Sequence, residues 1–353
     1  MKLIEETIKA ISPPDSEITG AAKRRMDSLT KPLGSLGRLE DLAVRLCGIT
    51  GRLDPLFRNK VIFTLAADHG VTAEGISPYP KEVTAQMVHN FLTGGAAINV
   101  LAAHSGARVV VADFGVACDL RPAAGLAAKK IKYGTENMVK GRAMSRDEAV
   151  RSLSYGIELF EDEYKRGVDL AGTGEMGIGN TTASSAITAV LTGLAVEKVT
   201  GRGAGLDEKG LQRKIGVIKK AIAVNAPDPC DPLDVLAKVG GLEIGGLAGV
   251  ILAASRRRVP VFIDGFISGA AALLAFRIEP KSAAYMIAAH KSVENGHSAI
   301  LKQIGIEPLL DLGMRLGEGT GAALAMGLAE ASVKVLNGMA TFSSAGVSEK
   351  SDV

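Results

Sequence analysis

Short apolar runs alternating with helical patterns constrain this chain more than any other feature. Five runs, Val61–Ala66, Arg108–Asp113, Val168–Ala171, Val259–Ile263 and Ala284–Ala289, are rich in β-branched or small apolar residues. Each has strand length, and stretches with apolar residues three and four apart separate most of them. Strands alternating with helices read as βαβ units. The spacing therefore predicts an α/β fold: a doubly wound, mostly parallel sheet flanked by helices. Ser145-Arg-Asp-Glu148 has the capping-box pattern and opens a helix to about Lys165. Asp231-Pro232 offers a capping side chain followed by proline at the first helical position.

The two ends differ from this middle. Residues 1–55 contain helical patterns, a "PPD" break and then "SLTKPLGSLGRLEDLA", and the last stretch is again mainly helical. The expectation is a small helical subdomain built from 1–55 and 319–353, packed beside a 56–318 α/β core, because termini often meet in compact domains.

At 353 residues, with 47% apolar and 22% charged residues, the chain has the balance of a soluble globular protein with a substantial core. The net charge of +3 arises from interspersed signs, so no nucleic-acid partner is expected. Cys47, Cys118 and Cys230 are widely spaced and form no CxxC pair, which argues against a disulfide scaffold or zinc site and fits a reducing, cytoplasmic setting. "MKLIEETIKAISPPD" reads as an amphipathic helix rather than a signal peptide, since acids interrupt its apolar positions. No apolar run approaches the roughly 20 residues needed to cross a bilayer, so no membrane partner is expected.

The chemistry concentrates in glycine-rich stretches. In "GTGEMGIGNTTASS", Gly172, Gly174 and Gly177 spell the dinucleotide fingerprint, and Glu197 lies about 20 residues further on. The match is imperfect: Glu197 falls at a helix end rather than a strand end, and the loop continues as Gly179-Asn180-Thr-Thr. Walker A is excluded, because no Gly-Lys-[Ser/Thr] closes the loop. A mononucleotide phosphate would be satisfied by this loop and the helix start behind it. A tight turn that binds nothing is the plain alternative. Glu175 would repel a phosphate unless it faces the sugar hydroxyls.

In "RLGEGTGAALAM", Glu318 stands between Gly317 and Gly319 ahead of an alanine-rich helix. It reads equally as an acid favoured near a helix start or as a general base to which the glycines give a planar substrate access. Asp68-His69-Gly70 and Asp264 end predicted strands, where ligands bind in open α/β sheets. Asp68 with His69, and His290 with His297, are weak metal patterns with no convincing third ligand, so no metal is expected. Lys214 and Ser292 are possible phosphate contacts, while Ser77-Pro-Tyr-Pro80 is a rigid loop before the helix that carries Gln86.

Six stretches, "LTKPLGSLGRLEDLA", "AADHGVTAEGIS", "VTAQMVHNFLTGGAAINVLA", "GEMGIGNTT", "VFIDGFISGAAAL" and "LGEGTGAALA", occur in the order found in one family. From about Leu29 to Leu336 the chain resembles the nicotinate-nucleotide–dimethylbenzimidazole phosphoribosyltransferases, which assemble the lower ligand of cobalamin. The resemblance implies transfer of phosphoribose from nicotinate mononucleotide to 5,6-dimethylbenzimidazole, with Glu318 as the catalytic base and no cofactor. It implies Glu175 near the ribose, and Gly177, Gly179, Asn180, Lys214 and Ser292 around the phosphate, with Asp264 on the same nucleotide side. Ser77, Gln86 and Leu316 would lie by the benzimidazole. It also implies a homodimer. Rival readings are the same transfer to another base, an NAD-dependent dehydrogenase and a non-catalytic nucleotide-binding regulator.

Overall fold

The five expected strands form, and a sixth joins them. The computed structural model describes residues 1–120 and 124–348. Its strands are β1 (Lys60–Ala67), β2 (Ala107–Gly115), β3 (Leu126–Ala128), β4 (Leu170–Met176), β5 (Val261–Ile263) and β6 (Met286–Ala288). All pairings are parallel, in the order β3-β2-β1-β4-β5-β6. The chain builds the sheet outward from β1 in one direction and then from β4 in the other. The switch point thus falls between β1 and β4, the place where such sheets open a ligand crevice.

Burial on both faces explains the near-continuous apolar runs. Along β1, Val61, Phe63 and Leu65 face one cluster, while Ile62 and Ala66 face another. The first cluster sits under the helices Arg146–Tyr164, Leu242–Arg256 and Phe266–Ile278, and the second under Val83–Thr93, Ala97–Ser105 and Thr320–Gly338. Each fully buried Leu, Ile or Phe contributes on the order of 1.5–3 kcal/mol, so the two layers supply most of the fold's driving force.

The predicted helix starts hold. Ser145 Oγ accepts from the Glu148 N–H at 3.1 Å, and Glu148 Oε2 accepts from the Ser145 N–H at 2.7 Å. Asp231 Oδ1 accepts from the N–H groups of Leu233 and Asp234 at 3.0 and 3.2 Å. The strand boundaries shift from the expected runs, by a residue or two in β1 and β2. β4 begins at Leu170 but runs on to Met176 through the glycines, and β5 and β6 are three residues each. β3 has no long apolar run to announce it; its Leu-Ala-Ala segment pairs only with β2, on the sheet edge.

At the ends of the chain, Met26, Leu29, Ala43, Cys47 and Leu336 form a small cluster that joins Ser16–Asp27, Arg38–Thr50 and Thr320–Gly338. The "TKPLGSLGRLE" loop beside it is fastened by a buried ion pair, Lys31 Nζ to Glu40 Oε1 at 2.8 Å, and Glu40 Oε1 also accepts from the Leu36 N–H at 2.9 Å. The helix Thr320–Gly338 serves two layers, since Ala322, Ala323 and Met326 pack on the sheet with Ile62 and Phe262. Residues 349–353 of the expected C-terminal segment lie outside the described residues. Among the described residues, no helix is long and apolar enough to cross a membrane.

Candidate active site

A cavity of about 650 Å³ opens at the carboxyl edge of the sheet, beside the switch point. Its lining includes Glu175 at the end of β4 and Gly177, Gly179 and Asn180 beyond it, Ser292 and His290 after β6, Leu316, Gly317 and Glu318 before the last long helix, and Ser77 from the loop after β1. The fold therefore gathers into one concavity most of the residues that the sequence singled out.

The glycine fingerprint resolves into two parts. Gly172 and Gly174 lie inside β4 and only Gly177 follows it, so the first two glycines do not form a phosphate turn. They are small because a helix crosses their face of the strand. A Cβ on Gly172 would stand 3.0 Å from Met326 Cε, and one on Gly174 would overlap the Glu318 carbonyl. Gly179 then turns in the left-handed region, at φ 96°, straight into the helix Asn180–Thr192. The first residues of that helix, Asn180 and Thr181, line the cavity, and a helix N-terminus suits an anion.

Glu175, at the end of β4, is buried and accepts from Asn180 Nδ2. Burial pushes its carboxyl up to about 8; the charges of Asp264, Glu243 and Glu318 add to the rise, and the Asn180 donor opposes it. Gly317 packs against this carboxylate so closely that a Cβ there would overlap Oε1.

Glu318 has φ 64°, between Gly317 at 86° and Gly319 at 101°. A non-glycine residue in this region stores roughly 1–3 kcal/mol of strain and persists only where its surroundings over-determine it. Its side chain does not complement the helix that follows. Oε2 instead accepts from the Ile98 N–H at 3.2 Å, in the first turn of Ala97–Ser105, the helix of the "TGGAAINVLA" stretch. Burial raises the Glu318 carboxyl, the Ile98 N–H opposes the rise, and the charge of Asp264 adds to it. The net shift is upward, toward the range useful to a base at neutral pH.

Asp264, Lys214 and Gln86 do not line the cavity. Both Asp264 oxygens are committed elsewhere: Oδ1 accepts from the Gly321 and Ala322 N–H groups at 2.6 and 3.1 Å, and Oδ2 from the Gly319 N–H at 3.2 Å. Burial lifts this carboxyl to about 7 against those donors. It is Asp264, rather than Glu318, that answers the positive end of Thr320–Gly338. Lys214 stands behind the wall, its Nζ donating to Thr181 Oγ1 at 2.8 Å, and Thr181 faces the cavity. Gln86 is on the helix Val83–Thr93 but exposed, while its helix mates Val83 and Met87 reach the lining.

The structure adds residues for which the sequence offered only neighbours. Arg315 lines the cavity and donates to the Gly203 carbonyl at 3.1 Å. Glu294 also lines it; Oε1 accepts from the Gly203 N–H at 2.9 Å, and among the described residues the buried Oε2 has no partner. Arg315 opens the quoted "RLGEGTGAALAM" and Glu294 lies two residues after Ser292, but neither belongs to a motif with a spacing rule. His297 Nδ1 accepts from the Ser292 N–H at 3.0 Å, which fixes the neutral tautomer, and burial with the nearby His290 lowers its pKa to about 3. His69 bonds Glu243 at 2.7 Å in the interior, and Asp68 Oδ2 accepts from the Ala117 N–H at 2.7 Å. Both are contacts made within the protein. Among the described residues, no three His, Cys, Asp or Glu side chains gather as metal ligands would.

Known proteins share this sequence and fold. The phosphoribosyltransferase family model matches residues 11–347. The chain is 57% identical to the nicotinate-nucleotide–dimethylbenzimidazole phosphoribosyltransferase of Chloroflexus aggregans, over 100% of both chains. It is 58% identical to the protein of the same name from Desulforudis audaxviator, over 99% of each. The crystal structure of that enzyme from Thermus thermophilus superposes with a TM-score of 0.91 at 45% identity, covering 95% of this chain and 100% of the other. This chain belongs to the nicotinate-nucleotide–dimethylbenzimidazole phosphoribosyltransferase family.

Proposed function

We propose that this protein transfers the phosphoribosyl group of nicotinate mononucleotide to 5,6-dimethylbenzimidazole, giving α-ribazole 5′-phosphate and nicotinate. The observation that carries the reading is the position of Glu318, a strained, raised-pKa carboxylate facing a cavity that has an anion-binding helix start on one wall and apolar side chains on another. Full-length relatives bearing that name support the substrates.

The roles follow from the chemistry. The phosphate lies against Gly177, Gly179, Asn180 and Thr181, with Ser292 beside it and Lys214 supplying charge from behind Thr181. Glu175, protonated at neutral pH, donates to or accepts from ribose hydroxyls without repelling the phosphate. The benzimidazole lies among Ser77, Val83, Met87 and Leu316. One ring nitrogen attacks C1′ from the face opposite nicotinate, so the anomeric centre inverts from β to α. The bond to the pyridinium nitrogen breaks with its electron pair returning to that nitrogen, and nicotinate leaves. Glu318 takes the proton from the other benzimidazole nitrogen, a contribution typically of about 10² to 10⁴ in rate. No pyrophosphate departs, so the step itself asks for no divalent cation. Holding both rings against C1′ supplies much of the remaining acceleration.

The same reading includes a homodimer, supported by Leu312 and Leu316, which are 59% and 58% exposed at and beside the cavity wall. It places the protein in a reducing cytoplasm, supported by three free thiols, two of them exposed. It also treats residues 1–55 and 319–353 as a small helical unit beside the 56–318 core, supported by the cluster around Met26, Cys47 and Leu336.

The test is nicotinate release from nicotinate mononucleotide plus dimethylbenzimidazole, followed by chromatography with EDTA present. Release that requires the benzimidazole, yields α-ribazole 5′-phosphate and falls at least about 100-fold in Glu318→Gln supports the reading. Nucleotide binding with no release for any benzimidazole, phenol or adenine overturns it.

A further inference from the structure

The peptide that joins Glu318 to Gly319 is held at both of its polar ends. Its carbonyl, on Glu318, accepts from Thr64 Oγ1 at 2.9 Å. Its N–H, on Gly319, donates to Asp264 Oδ2 at 3.2 Å. Thr64 sits within β1, and Asp264 directly follows β5. These strands flank β4 on opposite sides, and Gly174 of β4 provides the floor on which the Glu318 carbonyl rests. The contacts come from three adjacent strands, and all are buried: Thr64 is 0% and Asp264 1% exposed.

The arrangement is selective for the left-handed turn. Gly317 and Gly319 adopt positive φ without penalty, but Glu318 does not, and a glycine there would carry no carboxylate. Taking Glu318 out of the left-handed region changes its ψ as well as its φ, so the 318–319 peptide would rotate, break both bonds at once and strip Asp264 of one of three backbone donors. At the other end of the residue, the Ile98 N–H occupies Oε2, and among the described residues no hydrogen bond ends on Oε1. Neither Thr64 nor Asp264 lines the cavity, so neither meets a substrate there.

Resting on the transferase reading above, we infer that Thr64 and Asp264 are positioning residues for the reaction: they clamp the 318–319 peptide in its left-handed form and thereby fix Glu318 Oε1 as the atom that receives the benzimidazole proton. Asp264 thus acts through the backbone of Glu318 and not on the nucleotide. When Asp264 is ionised, its charge also favours the proton on Glu318.

The experiment is a double-mutant cycle on the full-length enzyme, using Thr64→Val, Thr64→Ser and Glu318→Ala with nicotinate mononucleotide and dimethylbenzimidazole. Thr64→Val keeps the side-chain shape and removes the donor. It should lower kcat by about 10- to 100-fold, the loss expected from a small misplacement of a reacting group. Both KM values should stay within about twofold, and Thr64→Ser, which keeps the hydroxyl, should recover most of kcat. In a Glu318→Ala background the same Thr64→Val change should have no further effect on the residual rate, because a clamp acts only through what it holds. Equal losses in both backgrounds, or a Thr64→Val kcat equal to wild type, overturn the inference. If Thr64→Val does not fold, Asp264→Asn takes its place in the cycle. Its expected pattern is the same, a kcat loss with both KM values unchanged that disappears in the Glu318→Ala background, and a loss that persists there counts against the clamp. Absence of transfer by the wild type is a different outcome, and sinks the transferase reading itself.

Discussion

The ammonium of Lys214 donates to the hydroxyl of Thr181 at 2.8 Å from a position that is itself 0% exposed. A point charge placed behind a neutral hydroxyl strengthens an anion site without closing it, since Thr181 alone meets the cavity. Burial lowers the Lys214 ammonium to about 8, while the charge of Glu294 pulls the other way. Lys214 is charged below that value and neutral above it. The KM for nicotinate mononucleotide should therefore be flat near pH 7 and rise through pH 8, approaching about tenfold per pH unit where phosphate binding must bring a proton with it. Lys214→Met should have a high KM throughout and a shallower rise, the remainder coming from Glu175, whose carboxyl ionises at about 8 beside the nucleotide. Initial rates across about pH 6.5–9.5 check both statements.

Glu318 leads to the opposite limb. A general base works when it has lost its proton, so kcat must fall as pH drops through its pKa. Burial raises that carboxyl against the Ile98 N–H. The acid limb should consequently lie above the ordinary carboxylate range. A kcat profile flat down to about pH 4 would show that no carboxylate titrates in the step. The residual rate of Glu318→Gln should show no such limb, because the amide does not ionise.

The carboxyls around the cavity also make stability depend on pH. Burial raises Glu175 from 4.5 to about 8 and Asp264 from 3.8 to about 7. A raised carboxyl binds its proton more tightly folded than unfolded. The stability this contributes is fully present below the unfolded pKa and is lost as pH rises through the folded one. The melting temperature should thus decline between about pH 5 and pH 8. Glu175→Gln, neutral at every pH, removes one share of that decline. Its curve should be shallower than that of the wild type and lie above it at the alkaline end. Thermal melts in matched buffers at several pH values test this, and parallel curves would refute it.

Much of this was legible in the sequence, for physical reasons that differ from residue to residue. β1 and β2 announce themselves because both faces are buried and the chain must be apolar throughout. β3 does not, because a short edge strand needs no apolar face. The end of β4 was hidden by its own function: Gly172 and Gly174 have the composition of a loop, yet they are strand residues thinned to let a helix and a carbonyl approach. At the site, Glu318 and Glu175 stood out through their glycine neighbours. Thr64, Glu294 and Arg315 did not, since a buried threonine in a strand or a charge beside a motif looks ordinary until the fold brings its partner across. The shared fingerprint was a coincidence of two requirements, close packing under β4 and a turn after it.

That coincidence can be taken apart experimentally. Both strand glycines lack room for a Cβ, but the obstacles differ in kind. At Gly172 the nearest atoms are side-chain atoms, Met326 Cε at 3.0 Å and Ala322 Cβ at 3.1 Å; the methionine can swing aside, and the alanine must yield by a few tenths of an ångström. At Gly174 the obstacles are the backbone of Glu318 and the Gly319 nitrogen, the peptide already pinned by Thr64 and Asp264. Gly172→Ala should therefore cost about 1 kcal/mol of stability and keep kcat within about threefold, as an overpacked but adjustable site does. Gly174→Ala forces β4 and the carboxylate turn apart. It should cost about 3 kcal/mol, the upper end for overpacking, and lower kcat by at least about tenfold because Glu318 moves with the turn. Denaturant melts and kcat for the pair measure the contrast. Equal effects at the two glycines would mean that β4 tolerates bulk uniformly and that Gly174 has no special tie to Glu318.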